Sequence, residues 1–185
     1  MKKTAAGYIV KLTLILFLIT GVVAILLGGV NAVTKGPIAD YAAQKTADAI
    51  RLVLPSDAEP EELADYTDET GLVTAAYRVG TDGYVFKILV GGSQGSIEMM
   101  VGVAADQTVS GISFISMSET PGLGAVAAQS GAKGEAFRSQ FVGMSGSLAV
   151  TKDGGTVDAL TGATVTSRAV TTGVNAALAC AANFS

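Results

Sequence analysis

The chain of 185 residues contains no histidine, no tryptophan, a single cysteine and four prolines, and only 15% of its residues are charged. Each scarcity excludes chemistry. Without histidine, neither a Ser/His/Asp nor a Cys/His nucleophilic centre can be assembled. With one cysteine as well, the usual Cys/His zinc and iron–sulfur sites are out of reach. Cys180 has no partner for an internal disulfide and reads as a small buried apolar side chain in a helix. Redox chemistry in this chain therefore requires a bound organic cofactor. The charged fraction falls below the roughly 25% of an ordinary soluble chain, and part of the deficit sits in one apolar segment near the start.

That segment is Leu12 to Val30, uncharged throughout and long enough as a helix to cross most of a bilayer's hydrocarbon core. Lys2, Lys3 and Lys11 precede it, and the first acidic residue is Asp40. The positive-inside rule then puts the N-terminus in the cytoplasm and the bulk of the chain outside the cell or inner membrane. A cleaved signal peptide is the rival reading, with Val30-Asn31-Ala32 as a weak cleavage site, but a signal's apolar region is normally shorter. The expected division is residues 1–34 as cytoplasmic N-terminus and anchor, and residues 35–185 as one extracytoplasmic domain. The outer part carries all sixteen acidic residues and is net negative, which argues against nucleic acid and anionic lipid as partners.

Gly36-Pro37 predicts a break after the anchor. Ile38 to Leu54 reads as an amphipathic helix with Ile38, Ala42, Ala49, Ile50 and Val53 on one face, stopped by Pro55. Ser56 to Thr70 is acidic and reads as a solvated loop; its carboxylates lack EF-hand spacing, and no metal site is expected. Leu72–Val79, Tyr84–Val90, Ile97–Ala104 and Val109–Met117 are β-rich runs separated by turn residues. A Gly-rich stretch, a short helix over Glu135–Phe141 and a hairpin pairing Leu148–Thr151 with Thr156–Leu160 follow. The last element is a helix from Thr164 to Ala182 with Val165, Ala169, Val174, Ala177 and Leu178 as its inward stripe. The fold class is α+β, a twisted antiparallel sheet with packed helices behind one transmembrane helix.

The chemically informative stretch is Asp158-Ala159-Leu160-Thr161-Gly162-Ala163-Thr164-Val165-Thr166-Ser167. Gly162 and Ala163 let backbone approach a bulky group. The helix start behind them offers unpaired N–H donors and a positive dipole end, which suits a phosphate. Thr164 puts a hydroxyl there. On residue types alone, hydroxyls that simply cap a helix account for the same pattern.

The string D-A-L-T-G-A-T resembles the D-x-x-[S/T]-G-A-[T/S] signature of the FMN-binding domain family. Ser118-Glu119-Thr120-Pro121-Gly122-Leu123-Gly124 contains the E-T-P-G-L-G segment that this family sets against the flavin. Gly95 to Val103, Phe137-Arg138-Ser139-Gln140-Phe141 and Lys152-Asp153-Gly154-Gly155 resemble further family segments in the same order. The resemblance implies a covalent flavin mononucleotide, FMN, joined by a phosphoester to the Thr164 hydroxyl by a flavin transferase. It implies electron transfer, with no catalytic residue of the chain's own. Asp158, Thr161, Gly162 and Ala163 belong to the attachment signature. Glu119 and Thr120 are expected to hydrogen-bond the ring or phosphate, Gly122 to let backbone approach the ring, Leu123 to pack on its face and Lys152 to act as counter-charge. The N-terminal anchor and short length resemble the FMN-carrying subunits of Rnf-type electron-transport complexes, which implies other membrane subunits as partners. The related subunits of Na⁺-translocating NADH:quinone oxidoreductases are usually longer. Met117, Ser93 and Phe137 depart from the His, Tyr and Trp common at those positions. Gly122 to Ala127 satisfies G-x-G-x-x-[G/A], but no βαβ context surrounds it, so a dinucleotide fold is not expected. From other classes, a tethered binding module without flavin and a pilin-like structural protein remain as rivals; pilins usually carry an early Glu that is missing here.

Overall fold

The computed structural model describes residues 2–184, and the chain divides into two units, Met1–Gln44 and Lys45–Ser185. A single helix, α1 (Lys2–Val53), contributes to both. Within it Gly7–Pro37 is apolar and long enough to cross a membrane, with a mean hydropathy of 2.7. The hydroxyls of Thr13, Thr20 and Thr34 donate back to the carbonyls of Ile9, Leu16 and Val30, so none of these polar groups is left unpaired in the apolar stretch. The break expected at Gly36-Pro37 does not occur, because α1 continues through Pro37. A proline costs a helix interior about 3 kcal/mol, and long helical runs on both sides carry the chain past it. The side chains of Ile38 and Ala42, expected on the inward face, lie outside the described residues.

In the second unit the last turns of α1 bury Ala49, Ile50 and Val53 together with Leu54 against one face of a sheet. The sheet is a five-stranded antiparallel meander: β1 (Pro60–Leu63), β2 (Val73–Val79), β3 (Gly83–Gly91), β4 (Ser96–Ala104) and β5 (Val109–Met117), in that spatial order. Period-two alternation sorts its side chains. Phe86, Ile88, Ile97, Met99 and Val101 face one core, while Val85 and Met100 face the α1 side. The glycines at 102 and 111 allow a close approach, since a Cβ at 102 would collide with the Val53 carbonyl and one at 111 would press on it at 3.0 Å. There Ser110 donates to the Val53 carbonyl at 2.6 Å, satisfying the end of α1.

The other core lies beneath α3 (Thr164–Ala182), whose Val170, Val174, Ala177 and Ala181 are fully buried. The four long strands and α3 fall within a residue or so of the sequence expectation. Other expectations fail. The acidic loop contains β1, which pairs Glu61 with Arg78 and Glu62 with Tyr77 at the sheet edge; charged side chains on a short edge strand obscure its periodicity and protect the edge. Val165 is exposed, since the first turn of α3 turns Thr166 and Ser167 inward instead. The hairpin is absent too. Val150 and Val157 form one isolated parallel bridge, and Thr151–Asp153 winds into a 3-10 turn. Gly154 at φ 85° and the N–H of Gly155 bonding back to the Val150 carbonyl curl the segment too tightly for paired arms.

α2 (Ala132–Ser139) begins earlier than expected and ends short of Phe141, whose ring meets that of Phe137 edge-to-face at 5.5 Å. The segment leading to the Val150–Val157 bridge is tied down by Asn175 of α3. Its side chain accepts from the Leu148 N–H and donates to the Leu148 carbonyl, both at 2.8 Å. Replacing Asn175 with Ala leaves both backbone groups short of a partner, and should lower the unfolding free energy by about 2 kcal/mol. Urea unfolding of the detergent-solubilised protein measures this; an unchanged midpoint would show that the tie is dispensable.

Candidate functional site

The first turn of α3 forms the floor of a cleft of about 390 Å³, lined among others by Ser93, Glu119, Thr120, Leu123, Lys152, Gly162 and Thr164. No side chain caps this helix end, so its N–H groups and dipole face the cleft. The turn into it is Leu160-Thr161-Gly162-Ala163, closed by the Ala163 N–H on the Leu160 carbonyl at 2.9 Å. Gly162 sits at φ 77°, where a Cβ would meet a Leu123 methyl at 3.1 Å. Both the conformation and the space therefore favour glycine. Ser167, fully buried, accepts from the Leu160 N–H and donates to the Ala163 carbonyl, each at 3.0 Å, which locks the turn onto the helix.

The cation of the cleft is Lys152, whose Nζ donates to the Thr164 Oγ1 at 3.2 Å. The carboxylate is Glu119. Its Oε1 accepts from the backbone N–H groups of Ser93 (2.6 Å) and Gln94 (3.1 Å), and its Oε2 accepts from the buried Thr166 hydroxyl at 2.7 Å. Both oxygens are thus committed to protein donors. Burial pushes the Glu119 carboxyl up, yet the Thr166 hydroxyl and the N–H groups of Gln94, Ser93 and Gly95 outweigh it, and the group lies below its usual range. Gly92 and Gly124 make room for this carboxylate, because a Cβ at either would collide with its oxygens.

A second cavity of about 530 Å³ adjoins at Leu123, which lines both. Its apolar lining includes Val126, Phe137 and Leu160, and its polar lining Lys133, Gln140, Asp158 and Thr161. Gln140 clasps the Asp158 backbone in both directions, accepting from its N–H at 2.8 Å and donating to its carbonyl at 3.3 Å. The clasp fixes the start of the signature loop against α2. An uncapped helix end beside a lysine, next to a partly apolar cavity, fits a ligand with a phosphate and a flat ring system.

The profile of the FMN-binding domain family matches residues 92–179, which span every residue of this arrangement. The G subunit of the ion-translocating oxidoreductase complex of Methanosarcina acetivorans is 31% identical over 92% of this chain and 93% of its own. The chain belongs to this family of FMN-binding G subunits. The G subunit of the Na⁺-translocating ferredoxin:NAD⁺ oxidoreductase complex of Acetobacterium woodii is 32% identical, covering 95% of this chain and 92% of its own. The proton-translocating counterpart of Clostridium ljungdahlii is 34% identical over 83% of this chain and 81% of its own. Among solved structures, the C subunit of the Na⁺-translocating NADH-quinone reductase of Parabacteroides distasonis is 28% identical with a TM-score of 0.45, covering 56% of this chain and 58% of that one.

Within the matched region, Glu119, Thr120, Leu123, Lys152, Gly162, Ala163 and Thr164 surround the smaller cleft, and Asp158, Thr161 and Gly122 line the adjoining cavity with Leu123. Gly122 takes φ 77° in the turn that the Leu123 N–H closes on the Thr120 carbonyl. The G-x-G-x-x-A string opens a 3-10 segment, Gly124–Ala128, beside an all-antiparallel sheet, and no dinucleotide-type βαβ unit is formed among the described residues. Sequence reasoning missed Thr166, Arg168, Gln140 and the backbone of Ser93 and Gln94. Arg168 grips Asp153 through Nε and Nη2, both at 2.6 Å, and these hydrogen bonds hold the Asp153 carboxyl below its usual range. For Arg168 the available signal was spacing, since Thr164 and Arg168 share a helix face at i, i+4; Thr166 and Gln140 stood within the quoted sequence strings but were given no role there.

The lowered pKa of Glu119 makes its contribution to stability fully present above the unfolded value of about 4.3 and lost as pH falls through the folded one. Asp68, Asp106 and Asp153, also lowered, share the acid limb, so the informative quantity is the difference between wild type and Glu119→Gln. The variant should be less stable than wild type near pH 7, with the gap closing below about pH 5. A gap independent of pH would show that the carboxylate charge is not what holds Thr166 and the Gly92–Gly95 turn.

Proposed function

We propose that the phosphate of FMN is esterified to the Thr164 Oγ1 and that the domain serves as a tethered electron carrier in an ion-translocating ferredoxin:NAD⁺ oxidoreductase complex of Rnf type. The observation that carries this reading is the meeting of three groups at one point: the Thr164 hydroxyl, the uncapped start of α3 and Lys152 Nζ. Bound FMN supplies one- and two-electron redox chemistry that the chain's own side chains lack. The helix end and Lys152 offset the phosphoester charge. Leu123, Val126 and Leu160 offer apolar surface to the ring, and Asp158 and Thr161 line the same cavity. Glu119 and Thr120 also line the cleft, with Glu119 held to α3 through Thr166.

The apolar Gly7–Pro37 helix supports attachment to the cell membrane. Lys2, Lys3 and Lys11 support a cytoplasmic N-terminus with residues 35–185 on the outer side. A covalent bond suits that side, where released FMN would diffuse away. The three relatives, all G subunits of ion-translocating complexes, support other membrane subunits as partners, and the ester bond requires a flavin transferase during maturation.

Thr164→Ala should abolish the flavin fluorescence that survives denaturing electrophoresis, while Thr164→Ser should retain it. Protein from a strain without flavin transferase should be colourless after denaturation. Fluorescence persisting in Thr164→Ala would overturn the attachment site.

A further inference from the structure

The turn that carries Lys152 springs from two buried residues, Val150 and Val157, but its own residues take no part in that apolar burial. Thr151, Lys152 and Asp153 are all exposed, and the bonds within the turn, such as the Asp153 N–H on the Val150 carbonyl at 2.8 Å, shape it without tying it to α3. Two side-chain contacts make that tie. Lys152 reaches Thr164, and Asp153 takes a two-pronged grip from Arg168, one helical turn further along the same face. The grip occupies both carboxylate oxygens of Asp153, the nearest anion in sequence to the Lys152 ammonium. Without Arg168 that carboxylate becomes a competitor for Lys152, able to draw it away from the Thr164 oxygen.

We propose that Asp153 and Arg168 are a positioning pair that keeps Lys152 at the Thr164 Oγ1 and so sets the rate at which FMN is attached there. The inference rests on the Thr164 reading above. Joining a phosphate monoester to a hydroxyl in water expels water and does not proceed unaided, so the donor is a flavin nucleotide with its phosphate in a pyrophosphate link. The Thr164 Oγ1–P bond forms as the bridging P–O bond breaks. The nucleoside monophosphate leaves with the bonding pair, the hydroxyl proton passes to a base of the transferase or to water, and no electrons are exchanged. The part of Lys152 is to meet the anionic phosphate at the acceptor oxygen.

The test uses the full-length apo-protein in detergent, prepared without transferase, then mixed with purified flavin transferase and flavin adenine dinucleotide. The rate of gain of denaturation-resistant fluorescence is read for each variant, with the label mapped by peptide mass. Lys152→Met should slow attachment about tenfold or more, the worth of a charge-assisted hydrogen bond. Arg168→Gln should slow it roughly threefold to fivefold, as expected of an exposed pair. In the Lys152→Met background Arg168→Gln should have no further effect, and that result separates positioning from a general structural role. A wild-type rate in Arg168→Gln overturns the proposal, and so does further slowing in the Lys152→Met background. Wild-type label on a residue other than Thr164 overturns the attachment site itself, and the positioning pair with it.

Discussion

The first turn of α3 has to stay open at its N-terminal end and yet be held still, and much of the domain answers that constraint. An ordinary helix caps itself with a side chain, which would occupy the donors a phosphate needs. Here no cap is present, and the turn is fastened laterally. Thr164 is met by Lys152, Thr166 by Glu119, Ser167 by the Leu160 backbone and Arg168 by Asp153. Four positions within five residues are tied to three different segments of chain. The hydrophobic core then fixes the remainder of α3 against β3 and β4, so the open end projects from a rigid base.

Charge is distributed to the same end. The Glu119 carboxylate directs its hydrogen bonding away from the proposed phosphate position, because its oxygens are filled by Ser93, Gln94 and Thr166. Asp153 is filled by Arg168. Two carboxylates near the proposed phosphate position are thereby satisfied internally, and Lys152 is left with the hydroxyl as its partner. An acidic domain can in this way hold an anionic cofactor without opposing it.

Much of this was legible in the amino-acid order. The alternating apolar residues of β3 and β4 and the stripe of α3 follow directly from burial against a single core, and the signature from Asp158 to Thr164 names its own loop. The failures have physical causes. β1 carries Glu61 and Glu62 on an edge, where hydrophobic periodicity is not needed. Pro37 lies inside a helix whose flanks outweigh its local cost. The Asp153-Gly154-Gly155 run has the composition of a hairpin turn, but Gly154 and Gly155 curl it into a 3-10 turn that carries Lys152 to α3. The ties at Thr166, Arg168 and Gln140 were invisible because each joins residues 15 to 47 positions apart, and only the folded chain brings them together.

The central claim is that the Thr164 hydroxyl carries the flavin. The most direct measurement is peptide mass mapping of the denatured native protein. The account predicts that the peptide containing Thr164 is heavier by FMN less one water, with fragmentation assigning the mass to that residue. The unmodified mass for that peptide in protein that is itself yellow would contradict it.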